Sequence, residues 1–265
     1  MDLGPNSGLD HKSLPSSLTY LNTDRYSGNL VNCLPQSLIF LRFGYDYKSE
    51  IPPGMIPPLV RDCRIARATQ SMLKLGSLPE GIETLHIVGM NDLQLIPGLL
   101  PQSIKTLVLG SKFNNEFGPG ELPKNLRVLV IGDNFDQMIK PNILPSTLKS
   151  LQFGFAFNKP ITEVGVIPDG LKTLKFGYMF NQSLDIKVLP KSIKSMTLGK
   201  FYKQFVNVNN LPSELTSLTC TGLNIVFQSL PPTLEYLYIQ RNITNSILND
   251  LMILQSNNKF KIKFL

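Results

Sequence analysis

A leucine or isoleucine followed by proline returns at Pro15, Pro35, Pro57, Pro79, Pro101, Pro123, Pro145, Pro168, Pro190, Pro212 and Pro231. Most of the steps are 22 residues, with extremes of 19 and 23. A chain that repeats itself at this period builds one small unit many times over. Whatever the fold is, each unit must meet the same local demands as its neighbours.

The unit reads L-P-x-x-L-x-x-L-x-[LFI]-G-x-x-F-N, and LPQSIKTLVLGSKFN at 100–114 is a clean copy. LPSTLKSLQFGFAFN at 144–158 and IPDGLKTLKFGYMFN at 167–181 are two more. The copies around Pro15, Pro57 and Pro231 are worn; in the second of these Val60, Cys63 and Ile65 stand at the apolar positions. Proline fixes its own φ and pushes the preceding residue into extended geometry. The two polar residues after it suit a turn. Stretches such as TLVLG and TLKFG alternate apolar and polar with period two, which predicts a short strand with one buried face. The glycine after the strand is read as the residue that lets the backbone turn sharply, and the phenylalanine three residues later as an apolar wedge.

One such unit holds one strand and one apolar stripe, too little for a core. Stacked units bury one another, with each strand pairing in parallel with the same strand of the next. The reading is a mainly β repeat solenoid: a leucine-rich-repeat-like coil of eleven repeats of about 22 residues, with a parallel sheet on one face. Asn114, Asp136, Asn158 and Asn181 follow the wedge in successive copies. Their amide or carboxylate groups can satisfy backbone polar groups of the adjoining coil, so they are read as a structural ladder rather than a ligand site.

The ends differ from the middle. Residues 1–13 are expected to be a flexible tail and 14–241 the solenoid. Residues 242–265 are expected to cap it with a short helix and strand. Ile247, Leu248, Leu251 and Leu254 have helical spacing, with Asn245 as the expected N-cap, and Lys259 to Phe264 alternates strictly, placing Phe260, Ile262 and Phe264 on one face. Lysines on a terminal strand resist further pairing.

Chemistry is sparse. The two histidines, His11 and His86, are too few for a metal centre or a nucleophile–base pair. No glycine loop of a phosphate-binding kind is present. The expectation is no enzyme, no metal and no cofactor. Cys33, Cys63 and Cys220 are odd in number and widely spaced, which points to buried thiols in a reducing compartment. The first residues carry neither a basic region nor an apolar run of the secretory kind, and no stretch has the length of a membrane helix. An intracellular, cytoplasmic protein is therefore expected.

Charge offers the one candidate surface. There are 26 basic and 19 acidic residues, for a formal net charge of +7. In the repeat register Arg61, Glu83, Lys105, Arg127, Lys149, Lys172 and Lys194 form one outward column. A second runs Arg42, Arg64, His86, Val108, Val130, Gln152, Lys175 and Thr197. Extended sheet faces are where solenoids bind partners, and these cations would meet an acidic protein surface. They would equally serve solubility alone. Nucleic acid is disfavoured, because few aromatics interleave with the stripe and tryptophan is absent.

The stretch Phe157-Asn158-Lys159-Pro160-Ile161, set between 22-residue L-P-x-x-L-x-x-L-x-F-G units, resembles the FNIP repeat across about residues 14–240. The L-x-x-L-x-L core is also similar to leucine-rich repeats. In those the asparagine ladder stands three positions after the last apolar strand residue, where this chain has Lys112, Asn134, Ala156 and Met179; its own ladder lies two residues later. The resemblance implies a non-catalytic protein-interaction scaffold and supplies no catalytic residues. An F-box often precedes such repeats; here they begin by Leu14, so an adaptor role in ubiquitin-dependent turnover would need a separate F-box partner.

Overall fold

The structure is a computed structural model, describing Met1, 13–89, 93–223, 225–256 and 259–265. His11 and most of the expected tail lie outside the described residues. The chain divides into two compact units, Met1–Leu129 and Val130–Leu265.

The first unit contains β1 (Tyr20–Thr23), β2 (Phe40–Phe43), β3 (Asp62–Ile65), β4 (Thr84–Ile87) and β5 (Thr106–Leu109), paired in parallel and in sequence order. β6 (Val128–Val130) begins there, its Val128 N–H bonded to the Lys105 carbonyl. The second unit contains β7 (Ser150–Gln152), β8 (Thr173–Lys175), β9 (Ser195–Leu198), β10 (Ser217–Cys220), β11 (Tyr236–Ile239), α1 (Asn245–Ser256) and β12 (Lys261–Phe264). These strands too are parallel neighbours in chain order. Each strand is three or four residues long, and β1 to β11 follow one another at one strand per repeat.

The proline works through its carbonyl. In all eleven copies that carbonyl accepts the N–H of the apolar residue three positions on, from Leu18 to Leu234. Proline thus occupies the first position of a β-turn, where its missing N–H is not needed. The turn delivers that apolar residue inward. Leu38, Val60, Ile82, Ile104 and Leu126 form one fully buried column of the first unit. Leu148, Leu171, Ile193 and Leu215 do so in the second.

Behind the second unit's sheet the wedge residues make an aromatic stack. Phe135 lies 5.9 Å from Phe157, Phe157 6.0 Å from Phe180, and Phe180 6.2 Å from Tyr202, all with nearly parallel rings. Phe153 and Phe176 lie flat against Phe157 and Phe180 at 3.8 and 3.7 Å. Offset stacks of this kind add about 0.5–1.5 kcal/mol per pair beyond the area they bury.

The ladder residues beside the stack bond from coil to coil. Asp136 Oδ1 accepts the Asn158 N–H at 2.9 Å, Asn158 Oδ1 the Asn181 N–H at 2.9 Å, and Asn181 Oδ1 the Lys203 N–H at 2.8 Å. The Gln182 and Gln204 amides donate to the same oxygens of Asn158 and Asn181. Asn114 is exposed at the corresponding place in the first unit.

The glycine after the strand has a different purpose from the one its sequence suggests. Gly110, Gly154, Gly177 and Gly199 are absent from the positive-φ residues. Their need is space: a Cβ on Gly177 would lie 1.7 Å from the Gly154 carbonyl oxygen, and one on Gly199 would lie 1.8 Å from that of Gly177. The left-handed residues form another row, three positions before the proline, including Gly54, Gly76, Gly98, Gly120, Asn142 and Gly165. There φ runs from 59° at Asn32 to 86° at Gly165, a region that favours glycine and, next, asparagine.

At the C-terminus Thr244 is the helix cap in place of the expected Asn245; its Oγ1 accepts the Ile247 N–H at 3.5 Å. Leu251 is the helix residue that is fully buried. Phe260, just before the last strand, is buried and Phe264 at its end is 49% exposed, so the apolar face expected there is covered at one end only. Lys263 Nζ lies 4.6 Å over the Tyr236 ring, a contact that holds the terminal strand while leaving its outer edge cationic. All three cysteines are free and buried, and burial, with a smaller contribution from Asp62, pushes the Cys63 thiol up to about 12.

Two substitutions test this account. Gly177→Ala should lower unfolding free energy by about 1–3 kcal/mol in chemical denaturation, because the intruding methyl meets backbone rather than a yielding side chain. Asn158→Ala should cost about 1–3 kcal/mol by stranding the Asn181 N–H, whereas Asn158→Asp, which keeps the acceptor that Asp136 already supplies one coil earlier, should cost less than half of that.

Candidate partner-binding face

Backbone hydrogen bonds fix the outward columns. In the first unit the Glu83, Lys105 and Arg127 N–H groups each donate to the carbonyl of Arg61, Glu83 and Lys105 at 2.8 Å. In the second, Lys172 donates to Lys149 at 2.8 Å and Lys194 to Lys172 at 2.9 Å. The central column is equally in register: Arg42 beside Arg64 beside His86 beside Val108, and, in the second unit, Gln152 beside Lys175 beside Thr197. The structure therefore brings Arg61, Lys105 and Arg127 into one file and Arg42, Arg64 and His86 into the next. Lys149, Lys172, Lys175 and Lys194 share the face of the second unit.

The two faces differ in how their cations are occupied. Arg42 meets Asp24 at 3.1 Å, Arg64 grips both oxygens of Asp62 at 3.2 and 3.1 Å, and Lys105 meets Glu83 at 2.8 Å. Arg61 donates to the carbonyls of Pro58 and Gly81. Lys105 holds the Glu83 carboxyl below its usual range, by hydrogen bonding first and by charge second. His86 is half-buried, and that burial, followed by repulsion from Arg64, pulls its pKa below the ordinary histidine value. The first unit's face thus carries much of its charge as internal pairs.

In the second unit Lys194 is paired with Glu214 at 2.9 Å. Among the described residues Lys149 Nζ bonds only the Gly170 carbonyl, at 3.3 Å, and the ammonium groups of Lys172 and Lys175 form neither a hydrogen bond nor a close ion pair. Glu214 is held below the usual carboxylate range by its bond to Lys194, and then by the charges of Lys194, Lys172 and Lys191. It sits as one anion among several cations.

Beside these lysines the face opens into a groove of about 390 Å³. Its floor is the glycine row at Gly154, Gly177 and Gly199, and Phe155 and Tyr178 stand along it, about half exposed. Lys175, Gln152 and Thr197 reach it from the central column. Among the described residues no cluster of side chains could hold a metal ion.

The family model of the FNIP repeat matches residues 29–61, 70–112, 113–156, 139–179, 157–201 and 180–219, more than half of the chain in all. The chain belongs to the FNIP repeat family. The solved structures it resembles include a "novel circular LRR protein", CroV588, at 32% identity and a TM-score of 0.82 over 91% of this chain and 36% of that one. YopM from Yersinia enterocolitica shares 21% identity with a TM-score of 0.55 over 86% of this chain and 47% of that one, a likeness of fold alone. The chain thus spans about a third and just under half of these two proteins. No curated protein matches it. The fold is a leucine-rich-repeat-like parallel β-solenoid.

Three of the FNIP matches begin at Phe113, Phe157 and Phe180, the wedge residues that precede the ladder. Each match nevertheless runs over the outward columns as well, 113–156 including Arg127 and Lys149. Two features of the face escaped the sequence reading. Ser37, Ser103, Ser192 and Thr233, which look like turn residues, place their hydroxyls on carbonyls of the preceding coil at 2.6–2.9 Å. The aromatic groove also went unnoticed; its signal was an aromatic directly after the glycine in both FGFAFN and FGYMFN.

His86 supplies a pH test. In the folded state its imidazole should titrate below the ordinary histidine range in an NMR pH series. Because folding favours the neutral form, the stability tied to it is present above the unfolded value and is lost as pH falls through the lowered one. His86→Gln should flatten that part of the stability–pH curve.

Proposed function

We propose that the chain is a non-catalytic protein-binding scaffold, and that the face of its second unit docks an acidic protein surface. One observation carries this reading: among the described residues the ammonium groups of Lys172 and Lys175 form neither a hydrogen bond nor a close ion pair and that of Lys149 bonds only a carbonyl, while Arg42, Arg64 and Lys105 are held by carboxylates of their own unit. Partnered cations have little left to offer, whereas unpartnered ones in a regular file speed encounter and select a complementary surface. Leucine-rich-repeat-like solenoids commonly use their sheet face for protein recognition. The buried free thiols support a reducing, cytoplasmic setting, and no helix among the described residues is long and apolar enough to cross a membrane.

Affinity purification should recover a discrete partner whose capture falls at least about tenfold with Lys149→Glu, Lys172→Glu and Lys194→Glu combined, with an unchanged circular dichroism spectrum, and weakens steeply with salt. Equal capture by that triple variant would show that these lysines only keep the sheet soluble. Co-purification of cullin-complex subunits would instead make the chain an adaptor in protein turnover.

A further inference from the structure

The glycine-floored groove of the second unit has a specific chemistry, and its use rests on the reading just given. Three observations bear on what fits it. The floor is bare backbone, because no side chain is tolerated at Gly154, Gly177 or Gly199. One side is aromatic: Phe155 and Tyr178 are 47% and 52% exposed and lie 5.4 Å apart at an interplanar angle of 22°. Phe153 and Phe176, two residues earlier, are buried instead, so the exposed pair is not part of the core. The polar side chains lining the groove are one cation, Lys175, with Gln152, Thr197, Asp133 and Thr221, and the Thr221 hydroxyl already donates to the Leu198 carbonyl at 3.1 Å. Asp133 Oδ1 already accepts the Phe155 N–H at 3.3 Å.

These features combine an apolar slot with one point of positive charge. A flat apolar group can lie on the glycine floor against the Phe155 and Tyr178 rings, excluding water from carbon surface that is now wet. A carboxylate a few ångströms from that group then reaches Lys175. Two aspects disfavour a single-stranded nucleic acid. The two exposed rings cover each other's faces, so they offer no platform for successive bases. One lysine and one aspartate also leave the groove itself close to neutral, where a phosphate chain would need a positive track.

We propose that this groove is the anchor pocket of the binding face, and that it takes an aromatic side chain from an acidic peptide segment of a partner protein. The aromatic ring sits on the Gly154–Gly177–Gly199 floor beside Phe155 and Tyr178. A flanking carboxylate pairs with Lys175, and the remaining acidic residues run toward Lys172 and Lys149. The basic file brings the segment in, and the pocket selects which acidic segment stays.

Fluorescein-labelled synthetic peptides test this with the whole chain. The first has a single phenylalanine between glutamates, the second has alanine in its place, and the third has phenylalanine between lysines. A fluorescein-labelled oligothymidine is the fourth probe. By fluorescence anisotropy the glutamate–phenylalanine peptide should bind at least about tenfold more tightly than the alanine peptide, the effect of burying one ring, and the lysine peptide should not bind. Phe155→Ser combined with Tyr178→Ser should reduce the first peptide to the affinity of the second, with both variants' thermal unfolding checked. Lys175→Gln should weaken the first peptide and lower its salt dependence.

The proposal is overturned if the phenylalanine and alanine peptides bind alike, if neither binds, if the double serine variant binds as the native chain does, or if oligothymidine binds more tightly than any peptide. Equal binding of the two acidic peptides, lost in the Lys149, Lys172 and Lys194 charge reversal, would leave the basic face standing without the pocket. Binding that survives the charge reversal but fails in the serine variant would leave the pocket standing without the wider face.

Discussion

Everything in this protein depends on how closely one coil's backbone can lie against the next. A single repeat has one short strand and an apolar edge it cannot cover. Its backbone groups find partners only if the adjoining coil comes within hydrogen-bonding distance along its whole turn. The strands meet that demand with parallel ladders, and the wedge region meets it through Asp136, Asn158 and Asn181. At the strand exit it is met by removing side chains altogether, since no Cβ fits above the Gly154 or Gly177 carbonyls. Aromatic rings fill the space that remains. Their offset stacking holds the coils together without demanding any particular surface sequence.

Much of the fold was legible because these demands recur. The proline period gave the number and spacing of the coils, and the L-x-x-L-x-L stretch placed all eleven repeat strands. The ladder was legible because residues with a side-chain acceptor stand at one place beside an aromatic wedge. Reasons were harder to read than positions. A glycine after a strand looks the same whether it is needed for φ or for room, and only the neighbouring coil's carbonyl distinguishes them. The capping role likewise fell to Thr244, one residue before the expected Asn245, a shift of the size by which helix ends escape local sequence.

The face was legible in outline only. Register alone placed Arg61, Lys105 and Arg127 in one file and Lys149, Lys172 and Lys194 in one file. It could not say which of these cations are already engaged, because that depends on the lengths and rotamers of Asp24, Asp62, Glu83 and Glu214 in adjoining coils. Nor could it show that Phe155 and Tyr178 turn outward while Phe153 and Phe176, two residues earlier, turn in. Both pairs are aromatic and close in sequence, and the glycine between them reverses the side they serve.

The side-chain ladder has a direction. Each oxygen accepts from the coil that follows, so a coil needs an acceptor for its successor and an N–H for its predecessor, and nothing else at that edge. Duplicating the segment between Asp136 and Asn181 would satisfy both conditions at once, which makes growth by tandem copying chemically free of new invention there. The same rule says where such growth stops. Lys203 takes the last bond and has no oxygen to pass on, and beyond it Val206 turns to a plain backbone bridge with Phe227.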